Sequence, residues 1–233
     1  DDGEDYKLDA YTGVRLGDKG SLFVSLYLRD HGDTNRIQAD TRQQFFGISP
    51  TTGLPVAFSG NYGSGTGLSP SNGNLDPREG GVTRFNHRFG DPETKDKGIW
   101  ANGEYPLKDM DLYFFGGASR RHANGAGFFR RPGDDRTVRS LWPVGFLPFI
   151  DSEVDDRSGG IGVKGKDSDW NWDLSTAYGT NILDYRTSNS ANVTLGNASP
   201  KAFYSGQLKF DQWTTNFDLT TSFKGGLPTP LKF

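Results

Sequence analysis

The sequence predicts an all-β protein, folded as an antiparallel up-and-down sheet. Three observations carry that expectation. Apolar and polar residues alternate with a period of two in stretch after stretch, as in residues 170–181, where Trp170, Trp172, Leu174, Thr176 and Tyr178 fall on one parity and Asn171, Asp173, Ser175, Ala177 and Gly179 on the other. Successive side chains of a strand point to opposite faces, so this parity is a statement about faces. No window holds a 3.6-residue apolar period long enough to make a helix. The connections between alternating stretches are short and long by turns.

In chain order, residues 5–17 alternate, with Tyr6, Leu8, Ala10, Thr12, Val14 and Leu16 on one side. Gly17, Asp18, Lys19 and Gly20 have hairpin chemistry. Residues 21–29 return with Leu22, Val24, Leu26 and Leu28 aligned. Residues 30–96 are polar and rich in Gly, Pro, Ser and Asn, including the Gly-rich 60–67, and read as one long connection. Strands resume at 97–106 and 110–121 around a turn at Leu107, Lys108 and Asp109. A second long connection covers 122–155. A Gly-rich strand at 157–165 turns through 166–169 into the strand at 170–181. A third long connection covers 182–201, and a long strand fills 202–223. Leu208 and Phe210 break the parity of Trp213, Thr215, Phe217, Leu219, Thr221 and Phe223, which places a bulge or a change of environment near Gln212. A short connection at 225–230 leads to an eighth strand starting at Leu231.

Two architectures satisfy such alternation. In a soluble sandwich the apolar parity faces a core; in a transmembrane barrel it faces lipid, and the polar parity lines a wet lumen. The connections favour the barrel. In an antiparallel meander successive connections leave from opposite ends, so all short turns share one end and all long loops the other, as in outer-membrane barrels. The aromatic ends of the apolar faces, Tyr105, Trp170, Tyr178 and Phe223, fit interfacial girdles. The opposite faces carry Lys7, Asp9, Arg15, Arg29, Glu104, Arg121, Lys164, Asp173 and Asp218.

Composition narrows the function. A net charge of −3 over 233 residues gives no basic excess for nucleic acid. The chain lacks cysteine, which excludes disulfides and thiolate metal sites. His31, His87 and His122 are scattered, and the acidic pairs Asp134/Asp135 and Asp155/Asp156 lack the spacing of a calcium loop. No metal site, cofactor, catalytic constellation or enzymatic activity is expected. The strongest candidate for ligand binding is a basic and aromatic group on the long-loop side: Arg120, Arg121, Phe128, Phe129, Arg130 and Arg131, with Arg29 and Arg36. Guanidinium groups pair with carboxylate or phosphate, and phenyl rings stack on apolar or ring surfaces. The competing role is structural, tethering loops to the wall or pairing with lipopolysaccharide phosphates.

Several segments carry a resemblance. They are Asp33-Thr34-Asn35-Arg36 after Tyr27-Leu28-Arg29, the run from Arg84 to Pro92, Phe128-Phe129-Arg130-Arg131-Pro132, the run from Trp142 to Pro148, Trp172-Asp173-Leu174-Ser175 with Tyr178, Gly179 and Asn181, and the run from Asn189 to Gly196 with Ser199, Pro200 and Phe203. In order and spacing these resemble the barrel of TonB-dependent outer-membrane receptors. The resemblance implies that residues 1–233 are an internal part of such a barrel, about seven to eight strands of a larger one, with the plug domain and C-terminal strands absent. It implies uptake of a scarce nutrient (siderophore, cobalamin, saccharide or similar), a bacterial outer-membrane location, and contact with lipid, lipopolysaccharide and, through the missing N-terminal region, TonB. The alternative is a soluble all-β carbohydrate-binding or hydrolase domain.

Overall fold

The computed structural model describes residues 2–55, 74–134, 136–223 and 231–232. Residues 60–67 and 225–230, Asp135, Phe233 and the side chain of Phe223 lie outside that description. The chain forms β1 (Asp5–Leu16), β2 (Gly20–His31), β3 (Glu93–Pro106), β4 (Met110–Ala126), β5 (Phe149–Asp167), β6 (Trp170–Ser188), β7 (Phe203–Phe223) and a two-residue β8 (Leu231–Lys232). Every strand pairs antiparallel with its sequence neighbour, in the order β1 to β8, and the sheet is open. Two 3-10 turns, Pro77–Gly80 and Val193–Ala198, are the only helical elements among the described residues. No helix is long and apolar enough to cross a membrane, which leaves crossing by strands untouched.

The strands run further into the long connections than the sequence pattern predicts. β4 continues to Ala126 and β5 begins at Phe149, so Arg120 and Arg121 lie within a strand and not at its end. Apolar alternation stops there, but cross-strand polar pairs continue the ladder. Arg120 grips Asp155 through two bonds of 2.8 Å, Asn124 donates to Asp151 at 2.6 Å, and Asn181 donates to Asp156 at 2.6 Å. The connections are therefore 17–19, 107–109 and 168–169 at one end, and 32–92, 127–148 and 189–202 at the other.

Register sorts the side chains onto two faces. The first carries Leu26, Ile99, Phe114, Ile161, Leu174 and Phe217 near the short-turn end, and Lys97, Arg120, Asp155 and Lys209 nearer the long connections. Tyr105, Trp170 and Trp172 border the apolar part at the turn end. Tyr178 and Trp213, with rings 5.9 Å apart, border it at the other. From Trp170 to Tyr178 the band covers about 27 Å of strand. The second face holds Arg15, Glu104, Lys164, Asp173 and Asp218, so the split of Trp172 and Leu174 from Asp173 is as the alternation predicts. It also carries aromatic stacks, Tyr11 on Phe23 and Trp100 on Phe115.

Among the described residues no second layer of strands or helices covers either face. The large apolar side chains that are buried among the described residues are Phe45 and Phe146, joined by Pro132 and Pro148, and all four belong to the long connections. Trp213 and Phe217 stand 70% and 64% exposed in mid-strand. Local packing comes instead from rings laid over glycines on the next strand. Tyr27 lies opposite Gly98, Trp100 opposite Gly117, Phe115 opposite Gly160 and Tyr113 opposite Gly162. A Cβ on any of these glycines would strike the ring. This pairing explains why the sequence is rich in both residue types.

Of the two readings of the parity break near Gln212, the change of environment holds, and the bulge of β7 lies elsewhere. The β6–β7 register is unbroken from Thr221 to Gln207 and shifts between Tyr185 and Arg186, where Gly206 adopts φ +118°. What changes around Gln212 is the environment: Leu208 pairs with Leu183, and Leu183 with Val154, on the face that carries Lys164, Asp173 and Asp218.

Gly117→Ala would drive a methyl into the Ile99 carbonyl and the Trp100 ring, and should destabilise by about 1–3 kcal/mol. A Cβ on Gly13 would meet only the Leu22 carbonyl oxygen, at an ordinary contact of 4.0 Å, so Gly13→Ala should be neutral or stabilise by up to about 1 kcal/mol. Urea unfolding of the full-length protein separates the two.

Candidate functional site

The three long connections meet in one cap, and its interior is polar. Gln43, Gln44, Asp76, Glu79, Asn86, Arg131, Asp134 and Thr137 are all buried there. Buried polar groups need partners, and here they have them. Asp76 N-caps the 3-10 turn Pro77–Gly80 by accepting from the Arg78 backbone N–H at 2.9 Å. That turn presents Glu79, whose Oε1 accepts the backbone N–H groups of Gln44 and Phe45, each at 2.7 Å. Its Oε2 takes Arg84 at 2.8 Å. Arg78 lies over the Phe45 ring at 4.1 Å.

The second connection is bonded to the first. Arg131 donates to the Gln43 carbonyl at 3.0 Å, and the Gly133 N–H donates to the Gln44 carbonyl at 2.9 Å. The third joins through Asn189 to the Leu147 carbonyl at 2.6 Å, Trp142 to the Ser190 carbonyl at 3.3 Å, and a Ser140–Asn197 contact. Lys201 sits 4.4 Å over the Trp142 ring.

Two titratable groups hold this cap in a defined charge state. Asp40 is buried, which alone would raise its carboxyl. Paired bonds from Arg42, the Arg42 N–H and Gln44 outweigh that and hold it well below its ordinary 3.8. His87 is bonded on both ring nitrogens. Arg42 can only donate, so Nε2, at 3.4 Å, is the acceptor, and Nδ1 donates to Asn86 Oδ1 at 2.5 Å. Burial pushes the imidazole below its ordinary 6.5, helped by Arg42 and Arg131 and opposed by Asp40.

Beside this framework lies an open cavity of about 980 Å³. The first connection contributes His87, Arg88 and Phe89; the second Phe128, Arg130, Arg136 and Phe146; the third Ser190 to Val193; and the strand ends Ile150, Thr187 and Phe203. No carboxylate is among the described lining residues. Arg88 is held by the Asn124 carbonyl at 2.7 Å and by Asp33 at 3.5 Å, and Arg136 faces Asp134 at 3.6 Å. Arg130 makes no ion pair among the described residues; its backbone is pinned in both directions to Phe146. Phe89 and Phe128 are 75% and 77% exposed. The arrangement offers guanidinium and aromatic surface to an anionic or ring-bearing solute.

Of the eight residues singled out from the sequence, Phe128 and Arg130 line this cavity. Phe129 backs it, its ring 5.8 Å from that of His87. Arg131 is buried in the cap as a tether. The other four lie apart. Arg29 is bonded to Asp5, Arg36 to Asp2, Arg120 to Asp155 and Arg121 to Asp96. Arg120 and Arg121, being adjacent in β4, point to opposite faces. The sequence reading missed Arg88, Phe89, Arg136 and Phe203. The signal for two of them was present: Arg84-Phe85-Asn86-His87-Arg88-Phe89 repeats the basic and aromatic chemistry of 128–131. No cluster of three or more His, Cys, Asp or Glu suited to a metal occurs among the described residues. Comparison with protein-family models and with curated proteins returned no match.

Glu79→Ala orphans two buried backbone donors and should weaken the cap by about 2–4 kcal/mol, read as faster proteolysis near residues 43–46. Acid should act in two stages. His87 favours its neutral form when folded, so its contribution is complete above pH 6.5 and fades as pH falls below it. Asp40 contributes above pH 3.8 and is lost below. Hydrogen exchange of the cap against pH should show both stages, and His87→Gln should remove the first.

Proposed function

We propose that this chain forms wall and extracellular loops of an outer-membrane transport barrel of the TonB-dependent receptor type, serving uptake of a scarce nutrient such as a siderophore, cobalamin or saccharide. The observation that supports it best is the uncovered apolar band on one face of a single-layer sheet, bordered at both ends by Tyr and Trp. In water such a face needs a second layer. In a bilayer it needs none, and about 27 Å of strand tilted by about 40° gives a height of about 21 Å, most of the ~25 Å of a barrel's lipid-facing belt. The separation of short turns from long connections supports the same orientation, with the cap outside the cell. The second face then lines the lumen.

In this reading the solute is captured at the cavity beneath the cap, where Arg88, Arg130 and Arg136 favour anionic groups and Phe89 and Phe128 favour rings or apolar surface. The wall does no bond-making chemistry. Energy for release into the lumen comes from TonB, engaged outside these strands, and the lipid contacts include lipopolysaccharide.

Two measurements test this. Full-length protein should fractionate with outer membranes and migrate differently in gels before and after boiling; a detergent-free soluble monomer would instead favour the carbohydrate-binding or hydrolase alternative. Within the barrel, Leu174→Arg should cost about 2–4 kcal/mol in lipid, whereas Asp173→Asn should cost little, because an amide oxygen can still accept the Tyr113 hydroxyl now held at 2.6 Å. Equal effects would sink the assignment of faces.

A further inference from the structure

The second face carries a belt without charge. Two successive rows cross all seven long strands there. One holds Tyr11, Ser25, Trp100, Ser158 and Gln212, with glycine on the other two strands. The next holds Phe23, Asn102, Phe115, Ala177 and Thr214, again with glycine on two. The flanking rows are charged, with Asp9 and Asp156 towards the cap and Arg15 and Glu104 towards the short turns. Within the belt the rings recline. Trp100 covers Gly117 and Phe115 covers Gly160, so each lies across the next strand and does not stand off the sheet. Trp100 and Phe115 are only 22° from parallel, and Tyr11 and Phe23 only 29°. In each row a polar side chain separates two rings: Ser25 lies between Tyr11 and Trp100, and Asn102 between Phe23 and Phe115. Neither Ser25 nor Asn102 makes a side-chain hydrogen bond among the described residues. A depression of about 830 Å³ opens at the second row, against Phe23, Asn102, Phe115 and Tyr113. Most charge at its edge is already committed: Lys164 bonds Glu104 at 3.1 Å, and Asp173 accepts the Tyr113 hydroxyl at 2.6 Å.

A solute on this belt meets ring faces, an amide and hydroxyl groups. Amides and hydroxyls both donate and accept, which suits a solute whose own groups do both. Reclined rings offer one open face each and no slot. That geometry favours stacking against C–H groups over insertion of a flat aromatic ring. Two rows without charge give no attraction to ions. An oligosaccharide combines these properties, with apolar C–H faces on its pyranose rings and hydroxyl groups around their rims. We infer that the belt binds an oligosaccharide, its rings lying on Tyr11, Phe23, Trp100 and Phe115 and its hydroxyl groups bonding Ser25 and Asn102. This site is separate from the cavity under the cap. It deepens the transport reading by choosing among nutrients, and it rests on that reading for a route along this face.

The test is calorimetric titration of the full-length protein in detergent with cellohexaose, maltohexaose and hexagalacturonate, the last carrying carboxylates that the cap cations favour. At least one should bind. Tyr11→Ala and Asn102→Ala should each lower its affinity about fivefold. The Tyr11 ring covers no glycine, so its removal leaves the sheet packing intact and keeps the test decisive if another variant fails to fold. Trp100→Phe keeps a ring and should keep most of the affinity. Phe217→Leu, on the other face, should leave it unchanged. Equal binding by the parent, Tyr11→Ala and Asn102→Ala overturns the belt as the site, as does a membrane-inserted protein that binds none of the three sugars; the transport reading survives both. A parent that stays soluble without detergent overturns the transport reading, and the route along this face with it. If acrylamide fails to quench the fluorescence that Trp100→Phe removes, protein covers the belt in the full-length chain, and the oligosaccharide is overturned as its occupant.

Discussion

The lateral hydrogen-bond ladder is the one interaction on which everything else here depends. Seven long strands are paired edge to edge with almost unbroken register, and among the described residues no second layer packs on them. A globular domain draws most of its stability from an apolar interior. This sheet has none, so its side chains organise within the sheet: rings settle over glycines across the strand, and acids meet bases along the rows. The row Lys7, Arg29, Asp96, Arg121 shows how charge is handled, with Arg29 turned to Asp5 and Arg121 to Asp96.

The cap follows different rules. It has an interior, but that interior is built of amides, carboxylates and guanidinium groups around two phenyl rings. Such an interior is directional. A hydrocarbon core tolerates sliding, whereas Glu79 holds two particular N–H groups and Arg131 one particular carbonyl. Three chain-distant connections therefore hold one arrangement, and the cavity beside them keeps its shape without a covalent crosslink.

Most of the sheet was legible in the sequence because alternation is local information. Trp172, Leu174 and Asp173 declare their faces by parity alone, and Gly17 or Asp18 declares a turn. Strand ends at the long connections were not legible, because past Arg121 and Asn181 the ladder is continued by polar pairs, and the partner of a polar residue cannot be read from its own neighbours. Near Gln212 the parity break could not decide between a bulge and a change of environment, for a related reason. Leu208 and Phe210 break parity through a change of surroundings, not through an extra residue, and only the partner strand reveals that. The candidate site was half legible. Phe128 and Arg130 stand out as chemistry, but their meeting with Arg88 and Phe203 depends on contacts across residues distant in the chain. Arg29, Arg36, Arg120 and Arg121 looked equally available, yet each has an acid that the sequence does not disclose.

The separation of short from long connections also bears on how the chain acquires its structure. β1–β2, β3–β4 and β5–β6 are each joined by two or three residues, so three hairpins can form from local contacts alone. Joining one hairpin to the next requires closing 32–92 or 127–148, and adding β7 requires closing 189–202. Closure entropy rises only with the logarithm of length, so the longest of these, roughly four times the shortest, adds only about 1.2 kcal/mol. The long connections can therefore grow or shrink with little effect on the order of assembly. Their ornament is free to vary in length while the hairpins beneath assemble unchanged.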